Sequence, residues 1–157
     1  MATLAVISVP SSGNNAIDSL LWGTSWESST ISYSFPEVGS LFLTEYSSAQ
    51  EPYTGFEALT VAQRLGVRQA LAEWASVANV TFVEVAEPYS SGVIRLGQSS
   101  APYTAWSYLP SSRETGGDVW FGYNFNYDNP HWQTYADYAY HIMLHELGHS
   151  LGLKHPG

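Results

Sequence analysis

The spacing of hydrophobic residues changes along this chain, and each change marks an element. Val67, Leu71, Trp74 and Ala78 follow one another at intervals of four, three and four, which gathers apolar side chains on one face of an α-helix. Thr60 and Gln63 occupy the two positions of a capping box, where each side chain bonds the other residue's backbone N–H. The helix is therefore expected from Thr60 to about Ala78, with Trp74 in the core. Ile31 to Phe35 alternates with period two, which predicts a strand closed by Pro36. Val80 to Val85, Val93 to Gly97, and Asp118 to Phe121 after the Gly116-Gly117 turn also read as strands. Tyr103 to Leu109, bounded by Pro102 and Pro110, reads as an edge strand, because proline cannot donate to a central ladder.

The remaining segments are less regular. Ala16 to Leu21 predicts a short helix stopped at Trp22-Gly23, and Leu43 to Gly55 a loop with Pro52 and Gly55 as turn signals. Tyr123 to Trp132 is aromatic and Asn-rich, expected as ordered loop. A final helix should begin at Thr134 or Tyr135, with Asp137 in its first turn favouring the helix dipole. Helix, strand, long helix, several strands and a last helix describe an α+β domain, one mixed sheet with two main helices packed on it. Residues 16–157 show no repeat or linker and read as one domain. Residues 1–15 read as a flexible, loosely attached arm, since Met1 to Pro10 lacks the basic start and long apolar run of a Sec signal.

Composition narrows the function. The chain has 157 residues, 45% hydrophobic and 15% aromatic, enough for a sizeable core. Net charge is -9 with five Lys plus Arg, so a nucleic-acid surface is not expected. No stretch approaches the roughly 18 apolar residues of a membrane span. The absence of cysteine excludes disulfides, thiolate metal sites and a cysteine nucleophile.

The chemistry concentrates in His145-Glu146-Leu147-Gly148-His149-Ser150-Leu151-Gly152-Leu153-Lys154-His155, a complete HExxHxxGxxH pattern. Two histidines four apart project from one helical face, where two imidazoles can meet one metal ion. Glu146 is rotated by roughly 100° from His145. It thus stands beside the metal, where a general base can take a proton from bound water. Gly152 can end the helix in the left-handed region and let the chain return with His155 as third ligand. Three nitrogens leave one position open, as in catalytic zinc sites. His141 is four residues before His145, but His141 and His149 are separated by about 12 Å of helical rise. Pairing His141 with His145 would leave His149, Gly152 and His155 unexplained. His141 is therefore read as a half-buried helix residue or a donor behind the ligands, and His131 as a loop residue.

These residues resemble the metzincin zinc endopeptidases and, among them, the serralysins, secreted bacterial proteases. The resemblance is carried by His145 to Pro156, Ala16 to Gly23, Ile31 to Phe35, Arg68 to Val85 and Gly116 to Gly122. It implies a metzincin-like upper subdomain with a mixed, mostly parallel five-stranded sheet and an antiparallel edge strand, placed here at Tyr103 to Leu109. It implies Zn2+ on His145, His149 and His155, with Glu146 as general base in peptide-bond hydrolysis by a metal-activated water. A protein or peptide substrate would lie along the edge strand by backbone hydrogen bonds. The family's lower subdomain, its methionine-containing turn and its calcium-binding Gly-Asp repeats have no counterpart here, since Met1 and Met143 both precede His155. Calcium is therefore not expected, and the chain reads as the N-terminal part of a catalytic domain, open to a complementing C-terminal segment. Two alternatives to a zinc endopeptidase stay open: a zinc-binding fragment with little or no turnover, and a protein-binding module.

Overall fold

The computed structural model describes residue 2 and residues 4–123 and 138–156. Its strands are β1 Val6–Ser8, β2 Thr24–Trp26, β3 Thr30–Ser34, β4 Thr81–Glu84, β5 Ile94–Gln98, β6 Ala105–Ser107 and β7 Val119–Phe121. Its α-helices are α1 Asn15–Asp18, α2 Val61–Val77 and α3 Tyr138–Ser150. The main sheet has five strands in the order β4-β3-β5-β7-β6. All neighbours are parallel except β6, which runs antiparallel to β7. This is the α+β architecture with a mostly parallel sheet that the sequence predicts.

The long helix forms as its pattern requires. Thr60 Oγ1 accepts from the Gln63 N–H at 3.3 Å, and Gln63 Oε1 accepts from the Thr60 N–H at 2.7 Å. Val67, Ala70 and Leu71 lie in one buried core with Ile31, Ile94, Leu96, Val119 and Phe121. Met143 and Leu147 of α3 join the same core. Each of these Val, Leu, Ile, Phe and Met side chains contributes about 1.5–3 kcal/mol on burial. Trp74 is only half-buried, and its indole N–H donates to the Leu144 carbonyl at 3.1 Å, linking α2 to α3. Gly148 lies at that crossing, where a β-carbon would stand 3.1 Å from the Trp74 ring. The glycine thus lets the two helices approach.

Several segments differ from the sequence reading. Residues 6–8, expected within a loose arm, form an antiparallel pair with β2, while Leu4 and Val6 pack against the core. The predicted helix of Ala16 to Leu21 shortens to Asn15–Asp18, where Asp18 turns back to accept from the backbone N–H and hydroxyl of Ser12, each at 2.7 Å. The Leu43 to Gly55 loop contains a 3-10 turn at Glu51–Tyr53 with Glu51 fully buried. The expected starts at Thr134 or Tyr135, together with Asp137, His131 and the loop from 124 to 132, lie outside the described residues.

Two buried polar groups tie the loops to the sheet. Asp118 accepts from the Arg95 N–H at 2.8 Å and from the Tyr46 hydroxyl at 2.5 Å. The Arg95 guanidinium forms a two-bond pair with Glu87, at 2.8 and 2.6 Å. Edge strand β6 is anchored in the same way. Trp106 Nε1 donates to Glu51 Oε1 at 2.8 Å, and the Tyr108 hydroxyl reaches the same oxygen.

Candidate metal centre

His145 and His149 leave α3 one turn apart on one face. The helix then closes with two backbone bonds, Gly152 N–H to the His149 carbonyl at 2.9 Å and Leu153 N–H to the Gly148 carbonyl at 3.0 Å. That pair is a Schellman cap, which needs a left-handed residue at its turn. Gly152 supplies it with φ +105, and a β-carbon there would also fall 2.5 Å from the Thr24 carbonyl oxygen.

The returning segment is held by the N-terminal part of the chain. Trp22 N–H donates to the Gly152 carbonyl at 3.0 Å, and Lys154 N–H to the Leu20 carbonyl at 2.8 Å. Leu21 and Leu153 form an antiparallel bridge, and the Trp26 indole donates to the Ser150 carbonyl at 2.8 Å. His155 is thereby directed at the other two histidines.

Three Nε2 atoms converge. His145 and His149 are 3.0 Å apart, His149 and His155 3.2 Å, and His155 and His145 2.9 Å. Two nitrogens bound tetrahedrally at ~2.0–2.1 Å stand about 3.3 Å apart, so one zinc-sized ion matches the triangle closely. The setting of two of the rings agrees. His149 Nδ1 lies 2.8 Å from the Leu153 carbonyl oxygen, which can only accept, so Nδ1 is the donor there and Nε2 is the nitrogen turned to the triangle. Burial lowers the pKa of His145, Glu146 opposes that shift, and the neighbouring His149 and His155 reinforce it. The net direction favours the neutral imidazole that a metal requires. Three Nε2 atoms this close together form a donor set that suits one cation.

Glu146 is buried beside the triangle. Its Oε2 accepts from the Ser107 hydroxyl of β6 at 2.8 Å. Sequence reasoning did not single out Ser107, because a serine in a half-buried strand carries no distinguishing signal. His141 is outside the triangle. It lines a hollow of about 380 Å³ with Thr104, Tyr138, Ile142, His145 and Glu146. Of the residues predicted from the sequence, the structure brings His145, His149 and His155 together with Glu146 alongside, and leaves His141 apart.

Comparisons with known proteins place the chain in a family. The Peptidase M10 family, Matrixin, matches residues 45–157. Serralysin A of Dickeya chrysanthemi is 34% identical over 140 residues, covering 85% of this chain and 29% of that protein. Metallopeptidase AprA of Pseudomonas marginalis is 33% identical over 124 residues, covering 74% of this chain and 26% of that protein. Metalloprotease AprA of Pseudomonas entomophila is 31% identical over 144 residues, covering 89% and 29% respectively. The chain therefore spans less than a third of the length of these relatives.

Proposed function

This chain belongs to the matrixin peptidase family, in which it is serralysin-like, and from that premise we propose that it carries the zinc centre of a metalloendopeptidase. The observation that carries the reading is the convergence of three imidazole nitrogens within 3.2 Å beside a buried glutamate. His145, His149 and His155 would hold the ion. Bound zinc supplies Lewis acidity, polarising the oxygen atoms of water and substrate.

The chain's own residues do the rest. Glu146 accepts a proton from the water that attacks the scissile carbonyl, then delivers it to the amide nitrogen as the C–N bond breaks. His149, fixed by its bond to the Leu153 carbonyl, keeps its lone pair aimed into the triangle. Strand β6 ends the sheet and packs against α3. An extended peptide adding to its free edge would lie alongside Glu146, held by backbone hydrogen bonds that depend little on side-chain identity. Among the described residues no helix is long and apolar enough to cross a membrane, and the serralysin likeness supports a secreted bacterial protease.

The test compares the wild type with Glu146→Ala for zinc content and for hydrolysis of an unfolded protein such as casein. The expected result is one zinc per chain in both, with hydrolysis lost by at least about a hundredfold in the variant. Equal inactivity of two zinc-loaded, folded proteins would reduce the reading to a metal-binding module. Zinc well below one per chain in folded wild type would remove the metal centre as well.

A further inference from the structure

Glu146 has three rotatable bonds between its backbone and its carboxylate, and rotation about the last exchanges its two oxygens. A base with that freedom spends part of its time pointing away from the reacting water. The structure assigns a role to the side chain that removes this freedom. We propose that Ser107 is a positioning residue for Glu146, its hydroxyl holding Oε2 so that Oε1 alone exchanges the proton. This rests on the peptidase reading above and deepens it.

The hydroxyl is well placed for such a role. Its oxygen lies 2.8 Å from Oε2, across 39 residues of chain. A serine hydroxyl has one proton to donate and a carboxylate can only accept, so the bond selects a single oxygen. Ser107 also stands on a fixed backbone. It is paired with Val119 of β7, and its strand neighbours Trp106 and Tyr108 both bind the buried Glu51. Side chains alternate between the two faces of a strand, so β6 is anchored on the Trp106 and Tyr108 face while Ser107 reaches Glu146 from the other. Among the described residues the same strand is the edge of the sheet, on which a peptide would lie. One side chain therefore sets the base relative to the strand that positions the substrate.

Ser107→Ala, Ser107→Val and Ser107→Thr form the test set, with Val and Thr nearly equal in shape and differing in the hydroxyl. Zinc content, zinc affinity by chelator competition, kcat and KM on a fluorogenic peptide, and the crystal structure of zinc-loaded Ser107→Ala are measured. The Ala and Val variants are expected to lose about 10- to 100-fold in kcat with KM and zinc affinity unchanged. The Thr variant should stay within about threefold of wild type, and Glu146 should take more than one carboxylate orientation in the Ala variant. Equal kcat for Val and Thr, or an unchanged single Glu146 conformer in Ser107→Ala, overturns the role of Ser107 whatever the absolute activity. A zinc-loaded wild type no faster than Glu146→Ala overturns the peptidase reading itself, and the role of Ser107 falls with it.

Discussion

His141, His145 and His149 lie on one line along α3, and one ion could be shared by at most two of them together with His155. Eight residues of helix rise about 12 Å, whereas the three Nε2 atoms of His145, His149 and His155 are within 3.2 Å of one another. Removing a ligand and removing its helical neighbour should therefore differ sharply. His149→Ala is expected to lose stoichiometric zinc after dialysis, since it removes both an Nε2 donor and the bond to the Leu153 carbonyl. His141→Ala should retain one zinc per chain by elemental analysis, and zinc loss there would overturn the ligand assignment.

At the scale of elements, the two helix ends serve different purposes. The capping box of α2 satisfies the backbone N–H groups of Thr60 and Gln63, on an element that carries none of the three imidazoles, so its loss should lower stability alone. Thr60→Ala is expected to cost about 1 kcal/mol in urea unfolding with zinc affinity unchanged; a shift in zinc affinity would contradict that separation. The C-terminal cap of α3 instead aims His155 at the other two histidines. An alanine at Gly152 would be strained at φ +105 and would meet the Thr24 carbonyl, displacing Leu153 to His155 from the strap at residues 20–24. Gly152→Ala should thus weaken zinc binding at least about tenfold, by the loss of one aligned ligand. Chelator competition measures it, and an unchanged affinity would mean that the strap does not position His155.

For the whole molecule, Asp118 couples stability to pH. Its carboxyl is completely buried, and desolvation raises its pKa, while the Tyr46 hydroxyl, the Arg95 N–H and the Arg95 charge oppose the rise, leaving it at about 8. An acid whose folded pKa lies above its unfolded value binds more protons when folded between the two. Its contribution is therefore fully present below the unfolded value of 3.8 and falls as pH rises through about 8. Within that window this group alone should reduce unfolding free energy by up to ~1.4 kcal/mol per pH unit. Urea unfolding of metal-free wild type and Asp118→Asn from pH 5 to 8 isolates the effect, because the other titrating groups are common to both. The stability difference between wild type and variant should shift in the variant's favour with rising pH, and a pH-independent difference would show that Asp118 does not titrate there.

Much of this protein is legible one segment at a time. The α2 periodicity, the Thr60 and Gln63 cap, the alternation around Ile31 to Phe35 and the HExxHxxGxxH spacing are all local. They depend on helical rise, pleat period and backbone conformation within a few residues, so the three-histidine set and the adjacent glutamate can be named from order alone. Tertiary structure decided the rest. It paired residues 6–8 with Thr24–Trp26, laid residues 20–24 against 152–154 and set Ser107 on Glu146. Those contacts join positions far apart in sequence, and their serines, leucines and backbone groups have no spacing that distinguishes them from others of their kind. The three histidines are written into one helix and its cap; what aims His155 is chain brought in from elsewhere.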